Sequence, residues 1–146
     1  MITPKRNCSL CPRLKKYRDK YKILEPKWHN SPVLSFGNLD SNILIVGLAP
    51  GLKGANKTGR PFTGDHAGNL LYPTLLKYKL ASGVYKEIHN DGIKMLNTRI
   101  TNSVRCVPPG NRPETLEKIN CQQFLKSEIN SMNNLKIILA LGTIAH

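Results

Sequence analysis

The segment NILIVGLAPG, residues 42–51, constrains the fold more than any other part of the chain. Its apolar residues follow one another without polar alternation, and Gly47 and Pro50 end the run. Such a run is typical of a strand buried on both faces of a parallel sheet. Parallel strands need long crossover connections, which are usually helical, so the run predicts an α/β domain.

The rest of the chain supplies the elements that such a domain needs. Apolar spacing and proline positions predict helices over 13–22, 67–80 and 114–132, with Pro73 in the first turns of the second helix. Strands are predicted over 100–104 and 136–142, the latter buried, and a loop over 51–65. We expect one domain over residues 1–146, with a small parallel sheet whose carboxyl edge carries the ligand-binding loops.

The charge of the chain favours a polyanionic partner. Lys and Arg total 22 against 9 Asp and Glu, a net charge of +13. Nucleic acid is the leading candidate, and the alternative is an ordinary solvated surface in a lysine-rich protein. No run approaches the ~20 apolar residues of a membrane span, and the N-terminus has no apolar signal segment. We therefore expect a cytoplasmic protein without membrane contact.

Four cysteines form the first candidate site. Cys8 and Cys11 form a C-x-x-C pair, and Cys106 and Cys121 lie far along the chain. In a cytoplasmic protein, this set favours metal ligation over disulfides. Four thiolates hold either a tetrahedral zinc ion or a four-iron cluster, and their spacing does not separate the two. The alternative is that Cys106 and Cys121 are buried thiols.

The loop after the 42–51 segment is the second candidate site. Gly47 and Gly51 free the backbone, so that successive N–H groups can face an anion or a carbonyl oxygen. The alternative is a tight turn that only leaves the sheet.

Three side chains near this loop are ambiguous on sequence alone. Asp65 precedes a predicted helix, where aspartate is a favoured N-cap. Phe62 is suited either to stacking on a planar ligand or to packing locally. Asn102, at a strand end, is suited either to reading the edge of a base or to capping a turn.

The segment VGLAPGLKGANKTGRPFTGDHAGNLLY, residues 46–72, resembles the first motif of the type-5 uracil-DNA glycosylases. NCSLCPRL (7–14), ITNSVRCVPP (100–109), the helix of Cys121 and IILALGTIAH (137–146) follow the order of that family. The similar type-4 enzymes usually carry an acidic residue where this chain has Leu48, so the resemblance is to type 5.

The resemblance implies a three-layer fold with a small central parallel sheet. It also implies a structural [4Fe–4S] cluster on Cys8, Cys11, Cys106 and Cys121, with zinc as the alternative. The basic segment from Arg13 to Lys22 would then contact DNA phosphates near the cluster.

The implied reaction is hydrolysis of the N-glycosidic bond of uracil, or of another deaminated base, after the base flips out of DNA. Backbone amides of the Gly47–Gly51 loop, with Leu48 and Ala49 inside it, would face the base. Phe62 would stack on the base and Asn102 would bind its edge. Asp65 would be the sole catalytic carboxylate, since one can suffice for an anionic leaving group.

Members of this family continue beyond the ALGTIAH segment with a helix, a further strand and a motif containing His-Pro-Ser. The 146 residues contain no such motif. We therefore expect a C-terminally truncated domain that lacks its last strand, and a monomer. The alternative functions are an inactive remnant and a basic, metal-bearing module that binds nucleic acid.

Overall fold

The computed structural model describes residues 1–146. Helices α1–α4 span Pro12–Leu24, Ala55–Thr58, His66–Lys77 and Thr115–Ser131. Strands β1–β5 span Ile43–Gly47, Ala81–Ser82, Lys94–Met95, Thr98–Asn102 and Ile137–Ala140. A 3₁₀ turn covers Pro109–Asn111. None of the helices combines the length and the apolar character needed to cross a membrane.

Strand β1 lies at the centre of a three-stranded sheet with the order β4-β1-β5, and both of its pairings are parallel. The α/β class and the small parallel sheet are therefore confirmed. Strands β2 and β3 form a separate two-stranded antiparallel sheet that the sequence analysis did not predict.

The two faces of β1 explain its unbroken apolar sequence. Ile45 packs with Tyr72 and Leu75 of α3, whereas Leu44 and Val46 pack on a cluster that includes Leu125 and Ile129 of α4. Because successive strand residues point to opposite faces, α3 and α4 cover the sheet from its two sides. The resulting order is helix, sheet, helix, which gives the three predicted layers.

Several predicted boundaries were wrong by a few residues. Strand β4 covers Thr98–Asn102 and not 100–104, so Asn102 ends the strand. The 51–65 segment, predicted as a loop throughout, contains the single helical turn α2. Gly59 ends this turn at a φ of 81°, a left-handed conformation that favours glycine.

The helices follow their predicted signals, with one exception at Pro73. Glu114 and Glu117 form a capping box at the start of α4, as their spacing favours. Pro73 lies in the interior of α3 and not in its first turns. Its missing N–H removes one intrahelical hydrogen bond, to the carbonyl of Asn69, and its ring is exposed.

The prediction that 136–142 is a buried strand was wrong in its burial. Strand β5 pairs with β1 on one side only and is an edge of the sheet. Ile137, Ile138 and Leu139 are 56%, 50% and 48% exposed. The side chains on both faces of β5 are thus exposed to solvent, whereas helices cover both faces of β1.

Candidate functional site

The carboxyl ends of β1 and β4 bring three of the predicted site residues together. Gly47 is the register partner of Asn102 in the parallel pair. A Cβ atom on Gly47 would lie 2.3 Å from Phe62 Cζ and 2.7 Å from Asn102 Oδ1. A side chain at position 47 would have to displace both groups, so the phenyl ring and the amide lie directly against the backbone of the strand end.

The loop that leaves β1 is fixed by main-chain hydrogen bonds. The carbonyl of Leu48 accepts from Val104 N and from Ser103 Oγ, both at 2.9 Å. The carbonyl of Gly51 accepts from Asn56 N at 3.0 Å. Ala49, between them, packs against the cluster that contains the cysteines. The loop is therefore a preorganised segment that connects the two candidate sites.

Asp65 is the N-cap of α3, which confirms the prediction that it caps a helix. Its Oδ1 accepts from Gly68 N at 2.8 Å. Its Oδ2 faces the glycine loop. A Cβ atom built on Gly54 would lie 2.6 Å from this oxygen, and one built on Gly51 would lie 3.5 Å from it. The cap occupies one oxygen, so the carboxylate retains a second oxygen directed at the loop.

Phe62 has a φ of 52°, which is a strained conformation for a bulky residue. Tyr85 holds this turn on both sides: its hydroxyl donates to Phe62 O at 3.4 Å and accepts from Gly64 N at 3.2 Å. Tyr72 donates to the carbonyl of Pro61 at 2.8 Å. The two tyrosine rings stack with centroids 4.5 Å apart.

A buried ion pair anchors the same turn. Arg60 Nη1 and Nη2 donate to Asp91 Oδ1 and Oδ2 at 2.7 and 2.9 Å, and Arg60 Nε donates to Thr63 Oγ1 at 2.7 Å. The guanidinium carbon lies 4.9 Å from the ring centre of Tyr72 and 5.2 Å from that of Phe36. Burial raises the pKa of Tyr72 to about 12, so its hydroxyl stays protonated.

Four residues that support the site were not predicted from the sequence, namely Arg60, Tyr72, Tyr85 and Asp91. Arg60 and Tyr72 lie within the 46–72 block, which was a usable signal. Asp91 lies in the sequence HNDG, which reads as an ordinary turn, and nothing there indicates a buried partner for Arg60.

The four cysteines converge on one small pocket. Cys106 and Cys121 are 7% and 6% exposed, Cys8 and Cys11 pack against the same cluster, and all four line the pocket. Burial raises the pKa of Cys106 to about 12 and that of Cys121 to about 11. The backbone N–H of Arg105 donates to Cys121 Sγ at 3.2 Å.

The donor chemistry of this pocket fits an iron–sulfur cluster. No group of three or more His, Cys, Asp or Glu side chains is arranged as ligands of a metal ion. The four thiols nevertheless line a single pocket, and sulfur is the donor that iron–sulfur clusters and structural zinc ions take. The residues that could hold such a group are therefore the four that the sequence predicted.

The basic segment of α1 presents less free charge than the sequence suggested. Arg18 is only 1% exposed, and Lys16, Lys20 and Lys22 are the exposed members. Carboxylates pair with three of the basic residues, Arg13 with Glu114 and Glu117, and Lys15 and Lys22 with Asp19. A phosphate-contacting surface along the whole Arg13–Lys22 segment is therefore not supported.

A second surface is more uniformly cationic. A groove of about 640 Å³ borders the loop through Arg60 and Pro61. Its lining contains no carboxylate, and its cationic members without an ion-pair partner are Arg6, Lys27 and Lys57, whereas Arg60 is paired with Asp91. The groove lies beside the Gly47–Phe62–Asn102 contact and does not include it.

The comparisons with known proteins agree with this arrangement. The Uracil DNA glycosylase superfamily profile matches residues 34–146. The type-5 uracil-DNA glycosylase of Pyrobaculum aerophilum is similar, with 37% identity over 95% of this chain and 63% of the relative. That of Thermus thermophilus has 38% identity over 94% of this chain and 65% of the relative. The type-4 uracil-DNA glycosylase of Thermotoga maritima is 39% identical over 77% of this chain and 51% of the relative.

The chain spans 54% to 65% of the length of the type-5 relatives it matches. The type-5 similarity extends over at least 94% of its residues. The family profile covers both strand ends, the glycine loop, Asp65 and two of the four cysteines. The chain therefore belongs to the uracil-DNA glycosylase superfamily, and its sequence places it with the type-5 members.

Proposed function

We propose that this chain provides the base-binding part of a DNA-repair glycosylase that releases uracil, and other deaminated bases, from DNA. The observation that carries the proposal is the contact of Gly47 with Phe62 and Asn102. An aromatic face, an amide and a bare strand end at one point are suited to a flipped, planar base. The type-5 names of the relatives support the same substrate.

Each residue has a role in this proposal. Phe62 stacks on the base, and Asn102 hydrogen-bonds its edge. Backbone N–H groups of Gly47, Leu48, Ala49 and Gly51 bind the base oxygens, on which negative charge develops as the base leaves. The apolar side chain of Leu48 places no charge beside the base, which is consistent with acceptance of more than one deaminated base.

Asp65 is the catalytic carboxylate. As the N-glycosidic bond breaks, the sugar gains positive charge and the base leaves as an anion. A carboxylate near the sugar stabilises that charge and orients the attacking water. One oxygen of Asp65 is held by Gly68 N, and the other faces the glycine loop, where it would act on the sugar and the water.

Cys8, Cys11, Cys106 and Cys121 would ligate a [4Fe–4S] cluster. Such a cluster would act structurally, because it would connect the N-terminal segment with the loop after β4, which carries Cys106, and with α4, which carries Cys121. The proposal rests on the shared pocket of the four thiols and on the type-5 similarity. Four free cysteines suit a reducing compartment, so we assign the protein to the cytoplasm.

The DNA would be bound largely by phosphate contacts. The cationic groove that borders Arg60 and Pro61 offers positive charge without neighbouring carboxylates in its lining. We further propose that residues 1–146 act as one domain, since β1 connects the layers on both sides, and that this domain acts on DNA as a monomer.

The test is release of uracil from a duplex oligonucleotide under single-turnover conditions. The chain is assayed alone and with the part of the Thermus thermophilus relative that lies outside the matched region, supplied as a separate polypeptide. We expect release in at least one arrangement, and its loss in Asp65→Asn, which keeps a helix cap but removes the charge.

Asp40→Asn is the control variant, because it makes the same substitution at an exposed carboxylate far from the predicted site residues. It should release uracil at the rate of the unsubstituted chain. Absence of release in both arrangements would overturn the proposal, and so would undiminished release by Asp65→Asn.

A further inference from the structure

Arg18 is the one buried arginine of the chain without a carboxylate partner. Four arginines are buried, namely Arg18, Arg60, Arg99 and Arg105. Arg60 pairs with Asp91, and Arg99 and Arg105 share Glu128. Arg18 is 1% exposed, and no carboxylate lies within ion-pair distance of it.

The guanidinium of Arg18 is only partly satisfied. Its Nη1 donates to Arg6 O at 3.2 Å and its Nη2 donates to Cys8 O. Its Nε is buried and has no hydrogen-bond partner. A buried cation without a counter-charge costs several kcal/mol, and carbonyl oxygens do not cancel a full charge. A bound anion beside the guanidinium of Arg18 would offset this cost.

The anion's place is indicated by the pocket that Arg18 lines. Cys8, Cys11, Cys106 and Cys121 line the same pocket. Leu14 and Arg18 fall on one face of α1 because they are four residues apart, Cys11 is the N-cap of this helix, and Leu14 packs in the cysteine cluster. The unpartnered cation thus lies beside the four thiols.

We propose that Arg18 is the counter-charge of an anionic metal–thiolate centre in this pocket, and that it sets the retention and the reduction potential of that centre. The inference rests on the proposed cluster. Four thiolates outweigh the positive charge of an oxidised four-iron core, so the filled centre is an anion. Arg18 then stabilises thiolate over thiol and the reduced core over the oxidised core.

Substitutions at Arg18 separate its charge from its hydrogen bonds. Arg18→Gln removes the charge and keeps a donor for one carbonyl, whereas Arg18→Lys keeps the charge and loses the planar fork. Lys16→Gln is the matched control, since it removes one exposed positive charge from the same helix. Each protein is reconstituted anaerobically with iron and sulfide.

Two measurements are made on the loaded proteins. Loss of the cluster to a chelator is followed by absorbance near ~400 nm, and the reduction potential is measured by titration with dithionite. We expect Arg18→Gln to lose its cluster about tenfold faster, within the range seen for groups around metal ligands, and to have a lower potential. Arg18→Lys should keep the potential of the unsubstituted protein, and Lys16→Gln should change neither value.

Unchanged retention and potential in Arg18→Gln would overturn the inference while leaving the proposed cluster in place. If Arg18→Gln does not fold, Arg18→Lys decides, because a lowered potential with the charge retained would also overturn it. An unsubstituted protein that takes up no iron would overturn the proposed cofactor and this inference together.

Discussion

Arg60 and Asp91 form an ion pair with two parallel hydrogen bonds, and their side chains are only 2% and 0% exposed. Asp91 also accepts from the backbone N–H groups of Lys86 and Ile93. The pair therefore joins the segment around residue 91 to the turn that carries Phe62, and it stabilises this turn at the candidate base-binding surface.

Removing one partner of this pair should strongly destabilise the protein. Asp91→Asn leaves the Arg60 charge buried among aromatic rings, and the expected loss is about 3–5 kcal/mol in the free energy of unfolding. Urea denaturation followed by circular dichroism measures it. Asp40→Asn, at an exposed carboxylate, is the control and should change the free energy by less than about 0.5 kcal/mol.

Acid should weaken the same pair. Hydrogen bonds from Arg60 hold the pKa of Asp91 well below its usual value. A lowered folded-state pKa stabilises the protein above the unfolded pKa of about 3.9, and this stabilisation is lost as pH falls below that value. The free energy of unfolding should therefore drop below about pH 4. Asp91→Asn should show a shallower drop, and an equally steep one would contradict the assignment.

The cap and the charge of Asp65 should be separable. Asp65→Ala removes the acceptor for Gly68 N and should cost about 1 kcal/mol of stability. Asp65→Asn retains a good N-cap and should stay within about 0.5 kcal/mol of the unsubstituted protein. Thermal unfolding of the two variants compares them. Equal destabilisation by both would mean that the negative charge, and not the cap, stabilises α3.

Gly47→Ala should displace Phe62 and Asn102. The new methyl group would lie within 2.7 Å of both side chains, and overpacking of this kind costs about 1–3 kcal/mol. Gly51→Ala is the control for stability alone, because its nearest contact would be 3.5 Å, to Asp65 Oδ2. Urea unfolding of both variants should show the larger loss for Gly47→Ala.

The cysteines should differ in their reactivity in metal-free protein. Cys8 and Cys11 are half-buried, whereas Cys106 and Cys121 are buried. A thiol reagent at neutral pH should label two cysteines rapidly and the other two only as the protein opens, because reaction requires access. Mass spectrometry of the labelled peptides identifies them. Rapid labelling of Cys121 would contradict the described packing.

The sequence was informative where a residue's role follows from its neighbours in the chain. The apolar run of β1 and the Glu114–Glu117 capping box were readable because strand burial and helix capping depend on local order. That the ends of β1 and β4 share one edge of the sheet followed from the parallel arrangement, whereas the register of Gly47 with Asn102 was not predicted.

Long-range partners were not readable. Arg18 is one of several basic residues in α1 by sequence, and its burial depends on how α1 packs against the cysteine cluster. Asp91 and Arg60 are 31 residues apart, and no local pattern joins them. The apolar pattern of β5 wrongly indicated burial for the same reason, since an apolar strand at a sheet edge can have the same sequence as one at the centre.

Strand β5 has a consequence for how the isolated chain behaves in solution. Its outer edge presents a row of main-chain donors and acceptors, flanked by the exposed side chains of Ile137, Ile138 and Leu139. Such an edge is a template on which a strand from another molecule can pair. Concentrated preparations should therefore self-associate through this strand, and Ile138→Lys should keep them dispersed.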